Sequence, residues 1–211
     1  MIRIFIADDH TIVRHGLRQL IDAQPDMRCI GEASDGRQVL LAEGKDQWDV
    51  LILDLSLPRV NGLEVLRRLR SELPTLRVVA LSMYPEEQYA VRVLAEGASA
   101  YLSKEYPAEQ LLTALRQVAA GRTFMSGKLS EQLQRGEHKK AGQPHESLSA
   151  REYQIFTLLL SGRTVTEVAA ELNLSASTVS THLAHVKEKL GVRNVAEIID
   201  YGHRAGLVKS L

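Results

Sequence analysis

The chain has 211 residues, with 26 Lys+Arg against 26 Asp+Glu, 45% hydrophobic and 25% charged, which is ordinary for a soluble globular protein with a real core. Its one cysteine, Cys29, excludes an internal disulfide framework and a Cys-based zinc site and fits a reducing cytosol. No apolar stretch approaches the ~18 residues of a spanning helix, and the N-terminus runs straight into a short strand-like segment, so neither a membrane span nor a signal peptide is expected.

Charge divides the chain in three. Residues 1–121 carry 14 Lys+Arg against 17 Asp+Glu, residues 122–144 carry 5 against 2, and residues 145–211 carry 7 against 7. An acidic front, a basic connector and a neutral tail predict segments with different roles.

The first segment alternates short apolar runs with amphipathic stretches. Strands are predicted at Ile2–Ala7, Met27–Ala33, Val50–Leu55, Arg77–Leu81 and Ala98–Leu102. The runs at 50–55 and 77–81 are nearly continuous in Val, Leu and Ile, as in strands covered on both faces. Between them, Val13, Leu17, Leu20 and Ile21, then Leu63, Leu66 and Leu69, then Leu111, Leu112, Leu115 and Val118 recur at helical spacing. Strand–helix alternation predicts βαβ units in a parallel, doubly wound α/β sheet. With the second strand at the edge, the order is the flavodoxin-like 2-1-3-4-5.

That order gathers polar residues at one end of the sheet, where ligands of such folds bind. Asp8 and Asp9 follow the first strand, Asp54 ends the third, Ser82 follows the fourth and Lys104 the fifth. Adjacent carboxylates repel and want a cation. Three in one crevice suit a hard divalent ion such as Mg²⁺, while an ammonium and a hydroxyl beside them fit a phosphoryl group. Asp54 is the natural nucleophile, since carboxylates form aspartyl-phosphates. Asp9 is also placed to cap a helix starting near Thr11. His10 and His15 are read as structural, Trp48 and Cys29 as packing residues, and "SDG" at 34–36 as a turn.

"RTFMSGKLSEQLQRGEHKKAGQPHES" then loses periodicity, apart from a weak helical stretch near Lys128–Leu133, and reads as a linker. The division is therefore 1–121, 122–146 and 147–211. In the last block Ser149…Glu152, Thr164…Glu167 and Asn194…Glu197 repeat the capping-box spacing ahead of helical periodicity. In "LSASTVSTHLAHVKEKLG", Val179, Leu183, Val186 and Leu190 form one stripe; Ser177, Thr181, Ala184 and Glu188 lie opposite, flanked by Ser180 and His185. Ser175 is the expected N-cap and Gly191 the stop. With the short helix of "TVTEVAAELNLS" before it, this is a helix-turn-helix arrangement. On residues alone, the block reads equally as a DNA-binding unit or as a small helical interaction domain with a solvated polar face.

"ADDH" at 7–10, "LDLSLPRVNG" at 53–62, "LSM" at 81–83 and "AYLSKE" at 100–105 resemble the receiver domain of two-component response regulators. Residues 148–208 resemble the four-helix LuxR-type DNA-binding domain, and together the two are similar to the NarL/FixJ family. The resemblance implies that Asp54 accepts a phosphoryl group from a sensor histidine kinase. Asp8, Asp9, Asp54 and the Ser56 backbone carbonyl would hold Mg²⁺, with Lys104 on the phosphate. Ser82 and Tyr101 would form the switch pair, Tyr101 turning inward after phosphorylation. Met83 departs from the small residue often found after the switch hydroxyl, and its length is expected to slow access of water or small donors to the phosphate.

The resemblance further implies that residues 180, 181 and 184 face bases of double-stranded promoter DNA, with Ser177 beside them. It implies homodimerisation on activation through Val195, Ile198, Ile199 and Gly202. Lys187, Lys189, Arg193 and the linker's Lys139 and Lys140 are the expected phosphate contacts. An Asp nucleophile with Mg²⁺ also serves phosphatases, but these commonly need a second Asp two residues on, where Ser56 stands, so an enzyme is not expected. A regulator acting through protein partners in place of DNA is the remaining alternative.

Overall fold

A computed structural model describes residues 1–83, 86–126, 143–172 and 174–207. The chain forms two compact units, Met1–Gly136 and Glu137–Leu211.

The first unit runs β1 (Ile2–Ala7), α1 (Thr11–Asp22), β2 (Met27–Ala33), α2 (Gly36–Leu41), β3 (Val50–Asp54), α3 (Gly62–Glu72), β4 (Arg77–Ser82), α4 (Glu86–Ala95), β5 (Ala100–Ser103) and α5 (Ala108–Ala119). The five strands are parallel in the order β2-β1-β3-β4-β5. All of β3 is buried, which explains why it lacks the alternation of a half-solvated strand. Ile4, Ile6, Val50, Ile52, Val79 and Leu81 pack in one core cluster with Ile21 of α1 and Leu111, Leu112, Leu115 and Val118 of α5. Near the start of β3, Trp48 stacks on Phe5 with ring centroids 3.9 Å apart.

Strand ends differ slightly from expectation. β5 starts at Ala100, two residues late, because Gly97 (φ +100°) turns the chain out of α4 while the Ala98 N–H closes onto the Val93 carbonyl. Asp35 of the "SDG" turn caps α2 by accepting the Gln38 N–H at 2.9 Å and pairs with Arg59 at 3.3 Å. Asp9 does not cap α1: the N-cap is His10, without a side-chain cap bond.

In the second unit a short 3-10 turn, Pro144–Ser147, precedes α6 (Ala150–Leu160), α7 (Val165–Glu171), α8 (Ala176–Leu190) and α9 (Val195–Arg204). Ser149/Glu152 and Thr164/Glu167 form reciprocal capping boxes, while Asn194 accepts the Glu197 N–H. Ser175 caps α8, and Gly191 in the left-handed region (φ +67°) ends it; that conformation costs glycine little and most other residues more. The stripe of Val179, Leu183, Val186 and Leu190 is buried.

Both ends of the predicted linker are structured. Phe124 bridges to Ala100 and packs on the receiver-like core, and His145 Nδ1 lies 2.8 Å from the Tyr201 hydroxyl. The predicted helical stretch at 128–133 and the lysines at 139 and 140 fall outside the described residues.

Candidate phosphoacceptor site and nucleic-acid surface

Strand register builds the first site. Ala7 pairs with Leu53 and Asp54 with Leu81, so Asp8, one residue past β1, stands level with Asp54. Ser82 pairs with Ser103, and Lys104 follows. The Lys104 N–H donates to the Ser82 carbonyl at 2.7 Å, fixing the start of the loop that carries the ammonium. Across the crevice Gly62 leaves no room for a side chain: a Cβ there would lie 2.2 Å from the Asp54 carbonyl oxygen. This accounts for the glycine that closes "LDLSLPRVNG".

The carboxylates are held without a surplus of donors. Asp54, 1% exposed, accepts the Ser56 N–H on Oδ1 at 2.8 Å and Lys104 Nζ on Oδ2 at 2.7 Å. Asp8, fully buried, accepts the His10 N–H on Oδ1 at 2.8 Å and faces Lys104 Nζ with Oδ2 at 2.6 Å. Burial pushes the Asp54 carboxyl up from its ordinary value; Lys104 draws it back and Asp8 adds to the rise. Burial pulls the Lys104 ammonium down, but the two carboxylates outweigh it and hold it above its usual range. One ammonium thus serves two buried carboxyl groups.

Asp9 completes the cluster. Its Oδ1 is buried and receives no well-directed hydrogen bond, although His10 Nδ1 lies 2.7 Å away. Single ligand atoms from Asp8, Asp9, His10 and Asp54 all lie within 4.8 Å of one another. Three carboxyl groups with ligand atoms this close together, one of them a buried oxygen that receives no well-directed hydrogen bond, fit a divalent cation. His10, expected to be structural, has its side chain in the cluster. Its position directly after two carboxylates was the available signal.

Ser82 is buried beside this row. Tyr101 is 1% exposed, so the ring is already buried before any phosphorylation; burying a large ring is favourable by itself. Met83 is 62% exposed.

On the second unit, Ser177, Ser180, Thr181 and Ala184 are exposed along α8. Ser180 Oγ donates to the Ala176 carbonyl at 2.8 Å and Thr181 Oγ1 to the Ser177 carbonyl at 3.1 Å, leaving hydroxyl lone pairs on the outer face. Lys187 is half-buried and Arg193 exposed.

Three predicted residues have other work. Lys189 Nζ binds Glu152 Oε2 at 2.6 Å. Glu152 is almost buried and also accepts the Ser149 N–H at 2.6 Å, so Lys189 ties α8 to the capped start of α6 and is not a free phosphate contact. Ile198 is fully buried, and a Cβ on Gly202 would come within 2.4 Å of Leu160 Cδ2. Both therefore belong to the core, because a unit this small must bury one face of each helix. Val195 and Ile199 remain partly exposed.

A parallel sheet with an Asp–Asp–Asp–Ser–Lys crevice, followed by a helix-turn-helix unit, defines a receiver joined to a DNA-binding-type domain. Residues 4–116 match the response regulator receiver domain, and residues 146–202 match the bacterial regulatory proteins of the luxR family. The chain belongs to the NarL/FixJ family of response regulators. It is 34% identical over 214 residues to the oxygen regulatory protein NreC of Staphylococcus carnosus (strain TM300), covering 98% of this chain and 99% of that protein. It is 33% identical over 210 residues to the transcriptional regulatory protein LiaR of Bacillus subtilis (strain 168), covering 99% and 100%. Among solved structures, RcsB from Salmonella enterica serovar Typhimurium, bound to promoter rprA in the presence of phosphomimetic BeF3-, matches with a TM-score of 0.64 and 27% identity over 95% of this chain and 98% of that one.

Proposed function

We propose that this response regulator takes a phosphoryl group on Asp54 from a sensor histidine kinase and thereby gains affinity, as a homodimer, for double-stranded promoter DNA. The observation that carries this reading is Lys104 bridging buried Asp8 and Asp54 at 2.6 and 2.7 Å, a cation already placed where phosphoryl oxygens would arrive. Asp8, Asp9, Asp54 and the Ser56 carbonyl would hold Mg²⁺, which supplies charge neutralisation for the transferring phosphoryl group. Ser82 donates to a phosphoryl oxygen, and Tyr101 stays inward once Ser82 has moved. The fit of the RcsB–promoter complex supports DNA as the target of the α8 face, with Ser177, Ser180, Thr181 and Ala184 toward bases and Lys187 toward phosphate. Val195 and Ile199 are the residues left to pair α9 with a second copy.

The chain acts as a switch and not as an enzyme, and works in the cytoplasm; among the described residues no helix is long and apolar enough to cross a membrane. Intact-mass spectrometry after incubation with acetyl phosphate and Mg²⁺ tests the phosphoacceptor. Wild type gains one acid-labile phosphoryl group and Asp54→Asn gains none; uptake by the variant at the wild-type rate overturns the assignment.

A further inference from the structure

The imidazole of His10 stands at the mouth of the carboxylate cluster with no structural duty that explains its position. It makes no cap bond to α1, and its side chain is 64% exposed. Nδ1 nevertheless points into the cluster, 2.7 Å from Asp9 Oδ1 and 3.3 Å from Asp8 Oδ1. Asp9 Oδ1 is buried and receives no directed hydrogen bond, so a nitrogen and an oxygen converge without an in-line N–H between them. Ligands about 2.1 Å from one ion and at right angles to each other sit about 3 Å apart. The two separations bracket that value, and the whole set of four ligand atoms fits within 4.8 Å. Lys104 occupies the other side of the crevice, on the Oδ2 atoms of Asp8 and Asp54, so the ammonium and the imidazole do not compete for the same lone pairs.

We propose that His10 is a ligand, through Nδ1, to the divalent ion held by Asp8, Asp9 and Asp54, and that it turns an oxygen-only site into a mixed nitrogen–oxygen one. Carboxylates alone suit Mg²⁺, whereas an imidazole raises affinity for later first-row ions in the order Mn²⁺ < Co²⁺ < Ni²⁺. The site therefore accepts Mg²⁺ but prefers ions such as Co²⁺ or Ni²⁺, and His10 sets that preference. The inference rests on the reading of the three carboxylates as a metal site. An imidazole that only oriented Asp9 would act on every metal alike; a ligand acts on selectivity.

The test uses the full chain with Mg²⁺ and Co²⁺ as probes, measuring affinity by titration calorimetry and recording proton NMR of the Co²⁺-loaded protein. Wild type should bind Co²⁺ more tightly than Mg²⁺ and show a hyperfine-shifted, solvent-exchangeable imidazole N–H resonance, from the Nε2–H of a ring bound through Nδ1. His10→Ala should lose that resonance and about tenfold or more of the Co²⁺ affinity, with the Mg²⁺ affinity changed by less than about threefold. Its thermal melt should match wild type, since the side chain is exposed. Loss of both affinities in parallel, absence of the resonance from wild type, or its persistence in His10→Ala each overturns the inference. Asp9→Asn separates the two levels: if it weakens Mg²⁺ binding while His10→Ala changes nothing, the carboxylate site stands and the imidazole ligand falls. If wild type binds neither ion, both fall.

Discussion

Lys189→Met distinguishes a lysine that serves the fold from one that serves DNA. The substitution keeps the aliphatic stem and removes the ammonium that meets Glu152 at 2.6 Å. Glu152 is 6% exposed at its side chain while Lys189 is 37% exposed, so the pair is asymmetric. Solvent screens the lysine and lowers the value of the attraction itself, but the carboxylate left behind is nearly buried and keeps the Ser149 N–H at 2.6 Å and, more distantly, His185 Nδ1 at 3.7 Å. Leaving such a group uncompensated costs about 1–3 kcal/mol, and the lysine's exposure places the expectation near the lower end, about 1 kcal/mol. For a unit of this size that lowers its melting midpoint by roughly 4–8 °C. The Ser149 N–H still serves Glu152, so the capping box survives and the helices remain. Differential scanning calorimetry of the full chain reads the midpoint, and promoter affinity against salt concentration reads the charge. If Lys189 neutralised a DNA phosphate, removing its ammonium would reduce the slope of log affinity against log salt by about 0.9; if it only ties two helices together, the slope stays unchanged. An unaltered midpoint together with a slope reduced by about one would refute the placement of Lys189 on Glu152.

Other perturbations follow from the same packing. Ile198→Ala should destabilise the second unit by about 2–5 kcal/mol because it opens a cavity in a fully buried position, as chemical denaturation would show. Ile199→Asp should leave the unit folded but shift phosphorylated protein toward monomer in sedimentation; the two half-sites then no longer act together, and binding should fall ~10²-fold or more. Stability should also depend on pH through Glu152. Burial pushes its carboxyl up, but Lys189 and the Ser149 N–H outweigh this and hold it below the usual carboxylate range. Its contribution is therefore present above the unfolded value of about 4.3 and is lost as pH falls through the folded value. Glu152→Gln should flatten the stability curve of the second unit in that acid range, and an unchanged curve in denaturant titrations would count against it.

What the sequence revealed depended on how local the cause was. The strand ends that carry Asp8, Asp54, Ser82 and Lys104 were legible because near-continuous apolar runs stop where the polar residues begin. The caps at Ser149, Thr164, Ser175 and Asn194 were legible because each acts within three residues. Register then did the rest, placing the polar ends level. The role of Lys189 is not legible because its partner lies 37 residues away, and nothing in "HVKEKLG" signals a buried glutamate on another helix. The resemblance groups Ile198, Ile199 and Gly202 on one pairing helix, but it does not say which face meets Leu160 and which meets solvent. His10 does not stand out in the sequence because three carboxylates already satisfy the expected ion; only the 2.7 Å approach of Nδ1 to Asp9 Oδ1 brings it in. Trp48 sits at the opposite end of β3 from Asp54, roughly 20 Å away at about 3.3 Å per residue, so its fluorescence is a poor reporter of metal binding.

The coupling of Asp54 chemistry to DNA recognition is tested most directly by the affinity of the full chain for a promoter fragment selected from genomic DNA, measured with and without acetyl phosphate in Mg²⁺ buffer, for wild type and for Asp54→Asn. The neutral second unit, with 7 Lys+Arg against 7 Asp+Glu over residues 145–211, gives each half-site little counterion release, so tight binding should require two copies. Phosphorylated wild type should bind ~10²-fold or more tightly than the unphosphorylated protein, and Asp54→Asn should show the weak affinity under both conditions. Equal affinity of wild type with and without phosphoryl donor, or a donor-dependent gain in Asp54→Asn, would contradict it.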